Sequence, residues 1–274
     1  MTGRAQTAGD DQGARTSTVS IAGVTLLVDV SGALFWAEQS LLVVSDLHLE
    51  KGSSFAARGV LLPPYDTAAT LGRLAAVVAH YDPRGVIALG DSFHDSNAHG
   101  RLAPADRDAI AALQARRDWI WVAGNHDPDL PRDLGGVVAG EVAIGPLTFR
   151  HEPSGAVGEI AGHLHPKARV ATRGRAMERR CLACDGERAV MPAFGAYAGG
   201  LSIRDTAFAR IFRSLAFIAH VLGDHRPHAF AAARCRCATG PALSSSLRAQ
   251  AKQSISPHVE AWIASSLSLL AMTG

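Results

Sequence analysis

The sequence predicts an α/β fold that contains two sheets. The first observation is a β-α-β-α-β order of apolar runs and helical patterns between residues 41 and 127. This alternation predicts a mostly parallel sheet with right-handed crossovers. The second observation is a series of short strand-like runs joined by tight turns from residue 137 onward. They predict a second, mixed sheet packed on the first, because no linker-like stretch interrupts residues 19–212.

The elements of the first sheet follow from periodicity and composition. Runs rich in β-branched and aromatic residues predict an opening hairpin, and continuous apolar runs predict buried strands. These runs are residues 19–30 and 33–37 for the hairpin, then 41–45, 85–91 and 119–127 for the buried strands. Apolar residues at helical spacing predict helices over 66–81, with Asp66 as a cap, and over 104–117. The predicted strands of the second sheet are VVAGEVAIGPLTFR, GEIAGH, ARVATRG, RRCLACDG and RAVMP.

The two ends of the chain differ from its middle. Residues 1–18 lack the apolar core of a signal peptide and predict a disordered leader. Residues 19–237 form the predicted domain, and the serine-rich residues 238–274 predict a poorly ordered tail. The apolar stretch at 259–274 is too short and too rich in serine to span a bilayer, so a cytoplasmic location is expected.

Composition sets few limits on function. Of the 274 residues 47% are apolar and the formal net charge is +2, which is ordinary for a globular protein and argues neither for nor against nucleic acid binding. The four cysteines could form a zinc site, but the second pair, Cys235 and Cys237, is C-x-C and lacks the glycines of a zinc knuckle. Reduced thiols are the favoured interpretation.

The residues that carry chemistry follow the apolar runs directly. They are Asp46 and His48, then Asp91, then Asn125, His126 and Asp127, then His151, and finally His163 and His165. Ligands bind at the carboxyl ends of strands in open α/β sheets, where these residues are expected to meet. Carboxylate, imidazole and amide oxygen suit divalent ions such as manganese, iron or zinc.

Each motif taken alone has an ordinary explanation. A lone D-x-H or H-x-H pair occurs by chance, and Asn-His-Asp after a strand is also typical of a turn. In an extended segment Asp46 and His48 would project to the same side, as would His163 and His165. The order of all five motifs, with a glycine at the tight loops, predicts a shared metal site.

These motifs resemble a known superfamily. D-x-H, G-D, G-N-H-D, a lone His and G-H-x-H, in that order over residues 20–212, are similar to the calcineurin-like metallophosphoesterases. The stretches SDLHLEKG, LLPPYDT, GDSFHD, GHLHP and PAFGAYAGG resemble the bacterial DNA-ligase-associated metallophosphoesterases within it. This resemblance implies a four-layer α/β/β/α sandwich of two mixed sheets flanked by helices.

The resemblance also implies two divalent metal ions, most often Mn²⁺, with Fe or Zn as alternatives. By motif position, Asp46, His48 and His165 would hold the first ion, with Asp91 bridging. The second would take Asp91, Asn125, His151 and His163, and His126 would lie beside the substrate phosphate. Two such ions about 3.5–4 Å apart can share a hydroxide that attacks phosphorus in line.

One position departs from the superfamily pattern. Three residues after the bridging Asp, where an Asp commonly orients the catalytic His, this chain has His94, followed by Asp95. Either Asp95 orients His126 as a second catalytic residue, or His126 is tuned differently. Lys51 and Arg58 follow the first motif and are candidate contacts to a polyanionic substrate. The five arginines of residues 169–180 are expected to be a solvated sheet edge rather than a phosphodiester-binding rim.

Three functions remain in competition. The leading hypothesis is a metal-dependent phosphodiesterase or nuclease acting on nucleic acid in DNA repair, with a possible functional association with an ATP-dependent DNA ligase and helicase. The alternative is a phosphatase or phosphodiesterase of a small nucleotide or metabolite. The third, a catalytically inactive scaffold, is disfavoured because all seven predicted ligands and His126 are present.

Overall fold

The computed structural model describes residues 15–172 and 175–235. Most of the predicted leader and all of the predicted tail lie outside these residues, as does Cys237. Strand β1 begins at Thr16, so residues 16–18, expected in the leader, belong to the first strand.

The first sheet has seven strands in chain order. They are β1 (Thr16–Ile21), β2 (Val24–Asp29), β3 (Leu34–Trp36), β4 (Leu41–Val44), β5 (Gly85–Leu89), β6 (Asp118–Val122) and β7 (Val137–Ala139). The pairs from β1 to β4 are antiparallel, and those from β4 to β7 are parallel. The parallel half confirms the mostly parallel arrangement predicted from the alternating elements. Strand β7, which was expected in the second sheet, belongs to the first, where it pairs with β6.

The second sheet is mixed, and its order is β15-β14-β12-β13-β10-β9-β8, with β11 paired to β12. Its strands are β8 (Glu141–Ile144), β9 (Leu147–Arg150), β10 (Glu159–Ala161), β11 (Lys167–Thr172), β12 (Arg175–Cys184), β13 (Ala189–Val190), β14 (Ile218–Leu222) and β15 (Pro227–Ala231). Strand β10 runs parallel to β9 and β13, whereas the other pairs are antiparallel.

Helices cover the outer faces of both sheets. They are α1 (Lys51–Ala57), α2 (Asp66–Tyr81), α3 (Ala98–Arg101), α4 (Pro104–Gln114) and α5 (Thr206–Phe212). Leu74 of α2 packs in one cluster with Val86 of β5. Ile87, which follows Val86 on β5, lies in a second cluster with Phe149 of the second sheet. A third cluster holds Phe208 of α5 against the second sheet. These clusters fill the spaces between four layers and confirm the expected sandwich.

Some elements differ from the sequence prediction. Residues 19–30 are not one strand: the chain turns at Ala22 and Gly23, where φ is 48° and 82°, so the hairpin lies inside this run. Helix α1 was not predicted, because its sequence KGSSFAA has no apolar periodicity. Helix α5 and strands β14 and β15 lie within the predicted domain, but the sequence did not predict them as separate elements.

The remaining expectations concern membrane spans, the cysteine thiols and the arginine-rich stretch. In the described ranges, no helix is long and apolar enough to cross a membrane. Cys181, Cys184 and Cys235 are buried free thiols, and burial raises the pKa of Cys181 well above its usual value. The arginine-rich stretch forms the β11–β12 hairpin, as expected.

Candidate metal centre

The two sheets bring the polar strand ends to one place. Strands β4, β5 and β6 are parallel neighbours, so Asp46, Asp91 and Asn125 follow them at the same edge. In the second sheet, β9 and β10 are also parallel, and His151 and His163 follow them. The seven predicted ligands therefore lie at a common edge of both sheets.

The first cluster consists of Asp46, His48 and His165, all of them buried. The Nε2 atoms of His48 and His165 face each other at 3.3 Å, and Asp46 Oδ1 lies 3.0 Å from His165 Nε2. The other carboxylate oxygen of Asp46 accepts a hydrogen bond from Ser45 Oγ at 2.5 Å. One carboxylate oxygen and two imidazole nitrogens that could coordinate a metal ion thus lie close together.

The second cluster consists of Asp91, His151 and His163, with Asn125 beside it. His151 Nε2 lies 3.3 Å from Asp91 Oδ1, 3.0 Å from Asn125 Oδ1 and 3.3 Å from His163 Nδ1. The Nδ1 atom of His151 donates to the carbonyl of Leu89 at 3.2 Å, which leaves Nε2 as the atom that faces the cluster. This is the grouping that motif position implied for the second ion.

The backbone of the ligand segments is left-handed rather than extended. The φ angles of Asp46 and His48 are 53° and 46°, and those of His163 and His165 are 66° and 47°. The expected extended conformation is therefore wrong, because alternate residues adopt positive φ and β4 ends before Asp46. Asp46 and His48 still meet in one cluster, whereas His163 and His165 lie in different ones. Such conformations are costly for non-glycine residues and cluster at functional sites.

Charge and burial shift the pKa values of three residues in the clusters, His151, Asp91 and His48. Burial alone would lower the pKa of His151, but its bond to Asp91 and the charge of Asp46 raise that pKa to about 9. Burial would raise the pKa of Asp91, but the bond from His151 holds it below its usual value. Burial and the neighbouring His165 lower the pKa of His48 well below 6.5, so His48 is neutral and able to coordinate a cation.

Comparison with known proteins now identifies the family. Residues 40–177, about half of the chain, match the family model described as calcineurin-like phosphoesterase. The chain belongs to the calcineurin-like phosphoesterases. The curated proteins that were searched gave no match. Among solved structures, the chain is similar to the crystal structure of Pseudomonas putida nuclease MPE, with 28% identity and a TM-score of 0.60 over 78% of this chain and 100% of that chain.

Family membership makes this protein a metal-dependent phosphoesterase hydrolase. The side chains of the two clusters in this phosphoesterase also suit cations by their chemistry, independently of the family match. The Nδ1 atoms of His48 and His165 are buried without a hydrogen-bond partner, and their Nε2 atoms face each other at 3.3 Å beside Asp46 Oδ1. Imidazole and carboxylate donors of this kind suit divalent transition metals.

His126 of the phosphoesterase lies beside both clusters. Its Nε2 is 3.9 Å from Asp91 Oδ2, and its backbone N–H donates to Asp91 Oδ1 at 2.9 Å. Its Nδ1 lies 2.7 Å from the carbonyl of His94. A carbonyl can only accept, so Nδ1 carries a proton and Nε2 faces the centre. The side chain is 33% exposed, which leaves it open to a substrate.

The structure corrects the expected role of Asp95. Its carboxylate bonds Arg101 at 2.7 Å, and the group that orients His126 is the His94 backbone carbonyl. The His94 ring stacks on His126 at 5.3 Å and forms a third imidazole cluster with His48 and His126. His94 is the residue that sequence reasoning left without a role; its position three residues after Asp91 was the available signal.

The two candidate substrate contacts differ from each other. Lys51 is buried, and its Nζ donates to the carbonyl of Tyr197 at 3.1 Å; burial lowers its pKa to about 8. Lys51 is therefore enclosed in the protein, where its charge helps to lower the pKa of His48, which corrects the expectation of an open contact with a polyanion. Arg58 is exposed and lies over the ring of Phe55 at 4.6 Å, and the His94 ring also stacks with Phe55, at 5.9 Å.

Gly162 allows the two sheets to meet at the centre, and we predict that Gly162→Ala destabilises the protein. A Cβ there would lie 2.1 Å from Ser45 Oγ and 2.6 Å from Asp46 Oδ2. Overpacking of this kind costs about 1–3 kcal/mol. Thermal unfolding should show a lower Tm than Gly100→Ala, a control where an added Cβ meets nothing within 4 Å. Equal Tm values for the two variants would contradict the prediction.

Proposed function

We propose that this phosphoesterase is a dinuclear-metal-dependent phosphodiesterase that hydrolyses phosphodiester bonds of nucleic acid. The observation that carries the proposal is the position of Asp91. Its Oδ1 lies 3.3 Å from His151 of the second cluster, and its Oδ2 lies 3.9 Å from His48 of the first. One carboxylate therefore reaches both clusters, as a bridging ligand must.

Each of the two clusters would hold one divalent ion, and His126 would act beside them. Asp46, His48, Asp91 and His165 would hold one ion, and Asp91, Asn125, His151 and His163 the other. Divalent ions there, with Mn²⁺ as the favoured choice, would neutralise phosphate charge and lower the pKa of bound water. His126, fixed through Nδ1, would present Nε2 to the phosphate or to the departing oxygen.

Nucleic acid is the favoured substrate for two reasons. The similar structure from Pseudomonas putida is titled as a nuclease. The chain also carries the stretches that resemble the DNA-ligase-associated group, including LLPPYDT, which begins at Leu61. A role in DNA repair follows from that narrower resemblance, and cytoplasmic location and association with a ligase and helicase remain predictions.

The test is an assay with added Mn²⁺ on three substrates: a model phosphodiester, a phosphomonoester and single-stranded DNA. We expect metal-dependent turnover of the diester and of DNA, abolished by a chelator. Turnover of the monoester alone would replace the proposal by a phosphatase of small metabolites. No metal-dependent turnover of any substrate would refute the proposed function.

We predict that the affinity for Mn²⁺ rises with pH. Without metal, the pKa of His151 is about 9, and because Nδ1 donates to Leu89, the extra proton lies on Nε2, the atom a cation requires. Below pH about 9 binding must displace that proton, so affinity should increase by up to about tenfold per pH unit. Calorimetric titration in buffers of different ionisation enthalpy should reveal about one released proton. Binding without proton release would contradict this.

A further inference from the structure

A cavity of about 260 Å³ opens beside the centre, on the side of Asn125 and His151. Its other walls include Gly124, Gly140 and Arg150. The volume is below the ~300–1,000 Å³ of pockets that enclose a drug-sized ligand. The cavity therefore suits one part of a larger substrate whose reacting group lies at the metal centre.

The cavity forms where the chain passes from the first sheet to the second. The N–H of Ala123 donates to the carbonyl of Ala139 at 2.9 Å, which places Gly140 next to the loop after β6. In the β8–β9 ladder, Glu141 pairs with Arg150, which places Gly140 close to His151. A Cβ added at Gly140 would meet nothing within 4 Å, so the space beside it is open.

The charged side chains around the cavity favour a neutral group over a second phosphate. Arg150 supplies the guanidinium of its wall, and it is paired with Glu141 at 3.0 Å and with Glu159 at 3.7 Å. Glu152 contributes a further carboxylate to the wall. Binding of a phosphate backbone depends on an excess of lysine and arginine. Here two carboxylates already pair with the guanidinium and Glu152 adds a third carboxylate to the wall, so the cavity suits an uncharged polar group.

We propose that this cavity binds the nucleoside portion, base and sugar, of the nucleotide on one side of the scissile phosphate. The proposal rests on the proposed function. Because Asn125 and His151 line both the cavity and the second cluster, a phosphate at the cluster directs its substituent here. The side chains of Arg150 and Glu152 offer donors and acceptors for a neutral base edge or a hydroxyl.

The test fills the cavity and compares two substrates with the same leaving group. These are the p-nitrophenyl ester of thymidine 5′-monophosphate and methyl p-nitrophenyl phosphate, each with Mn²⁺. The wild type should prefer the nucleoside ester. The graded series Gly140→Ala, Gly140→Val and Gly140→Leu should progressively lower the ratio of kcat/KM for the nucleoside ester to that for the methyl ester, by about tenfold or more for Leu.

Gly72→Leu is the control, because Gly72 is exposed on α2 and an added Cβ there also meets nothing within 4 Å. Its ratio should equal that of the wild type. A wild type without preference, or equal losses on both esters along the Gly140 series, would overturn the nucleoside subsite and leave the phosphodiesterase proposal intact. No turnover of either ester by the wild type would instead refute the proposed function.

Discussion

Asp91→Asn should lower metal-dependent phosphodiester hydrolysis by about three orders of magnitude. The carboxylate faces His151 through Oδ1 and His48 through Oδ2, so the change removes negative charge from both clusters at once. Metal ions supply several kcal/mol of charge stabilisation in such sites, and each ~1.4 kcal/mol is about tenfold in rate. The measurement is kcat/KM on a model phosphodiester, together with the number of Mn²⁺ ions bound per chain.

Asp82→Asn is a matched control for this variant. Asp82 and Asp91 have φ angles of 40° and 46°, a region that Asn tolerates, so both changes keep the backbone conformation. Asp82 is 87% exposed, pairs with Arg117 and lies outside the centre, so its variant should retain full activity. If Asp91→Asn kept both bound ions and its activity, Asp91 would not be the bridging ligand.

Much of the fold could be predicted because its signals are local. The parallel strands β4, β5 and β6 are continuous apolar runs, and α2 and α4 show apolar residues at helical spacing. Helix α1 was not predictable in this way, because its buried residues are Lys51, Gly52 and Ser54. They are held by contacts with distant parts of the chain, such as the bond from Gly52 N–H to Asp66.

The membership of the candidate site was predictable, and its geometry was not. Residue type and order after each strand pointed to nine polar residues, and the resemblance to the metallophosphoesterases selected seven of them as expected ligands. The structure brings these seven side chains together. The left-handed backbone at Asp46 and His48 is set by contacts between loops, such as the bond from His48 N–H to the carbonyl of Asp91. The burial of Lys51 depends on the Tyr197 carbonyl, which is far away in sequence.

His126→Ala should lower hydrolysis of an alkyl phosphodiester on the order of 10²–10⁴-fold, the usual contribution of general acid–base catalysis. The bond from Nδ1 to the His94 carbonyl fixes the ring, so Nε2 points at Asp91 Oδ2 and at the space a phosphate would enter. His225→Ala is the control, because His225 is exposed and belongs to none of the imidazole clusters. Both variants should keep the wild-type Tm.

Substrates with different leaving groups distinguish two possible roles of His126, proton donation and phosphate binding. An alkoxide needs a proton as it departs, whereas p-nitrophenolate is stable without one. If His126 donates that proton, the loss in kcat should be large for an alkyl leaving group and much smaller for p-nitrophenol. Equal losses on both substrates would contradict proton donation. They would indicate instead that His126 binds the phosphate, a role that the 33% exposed ring beside Asp91 also permits.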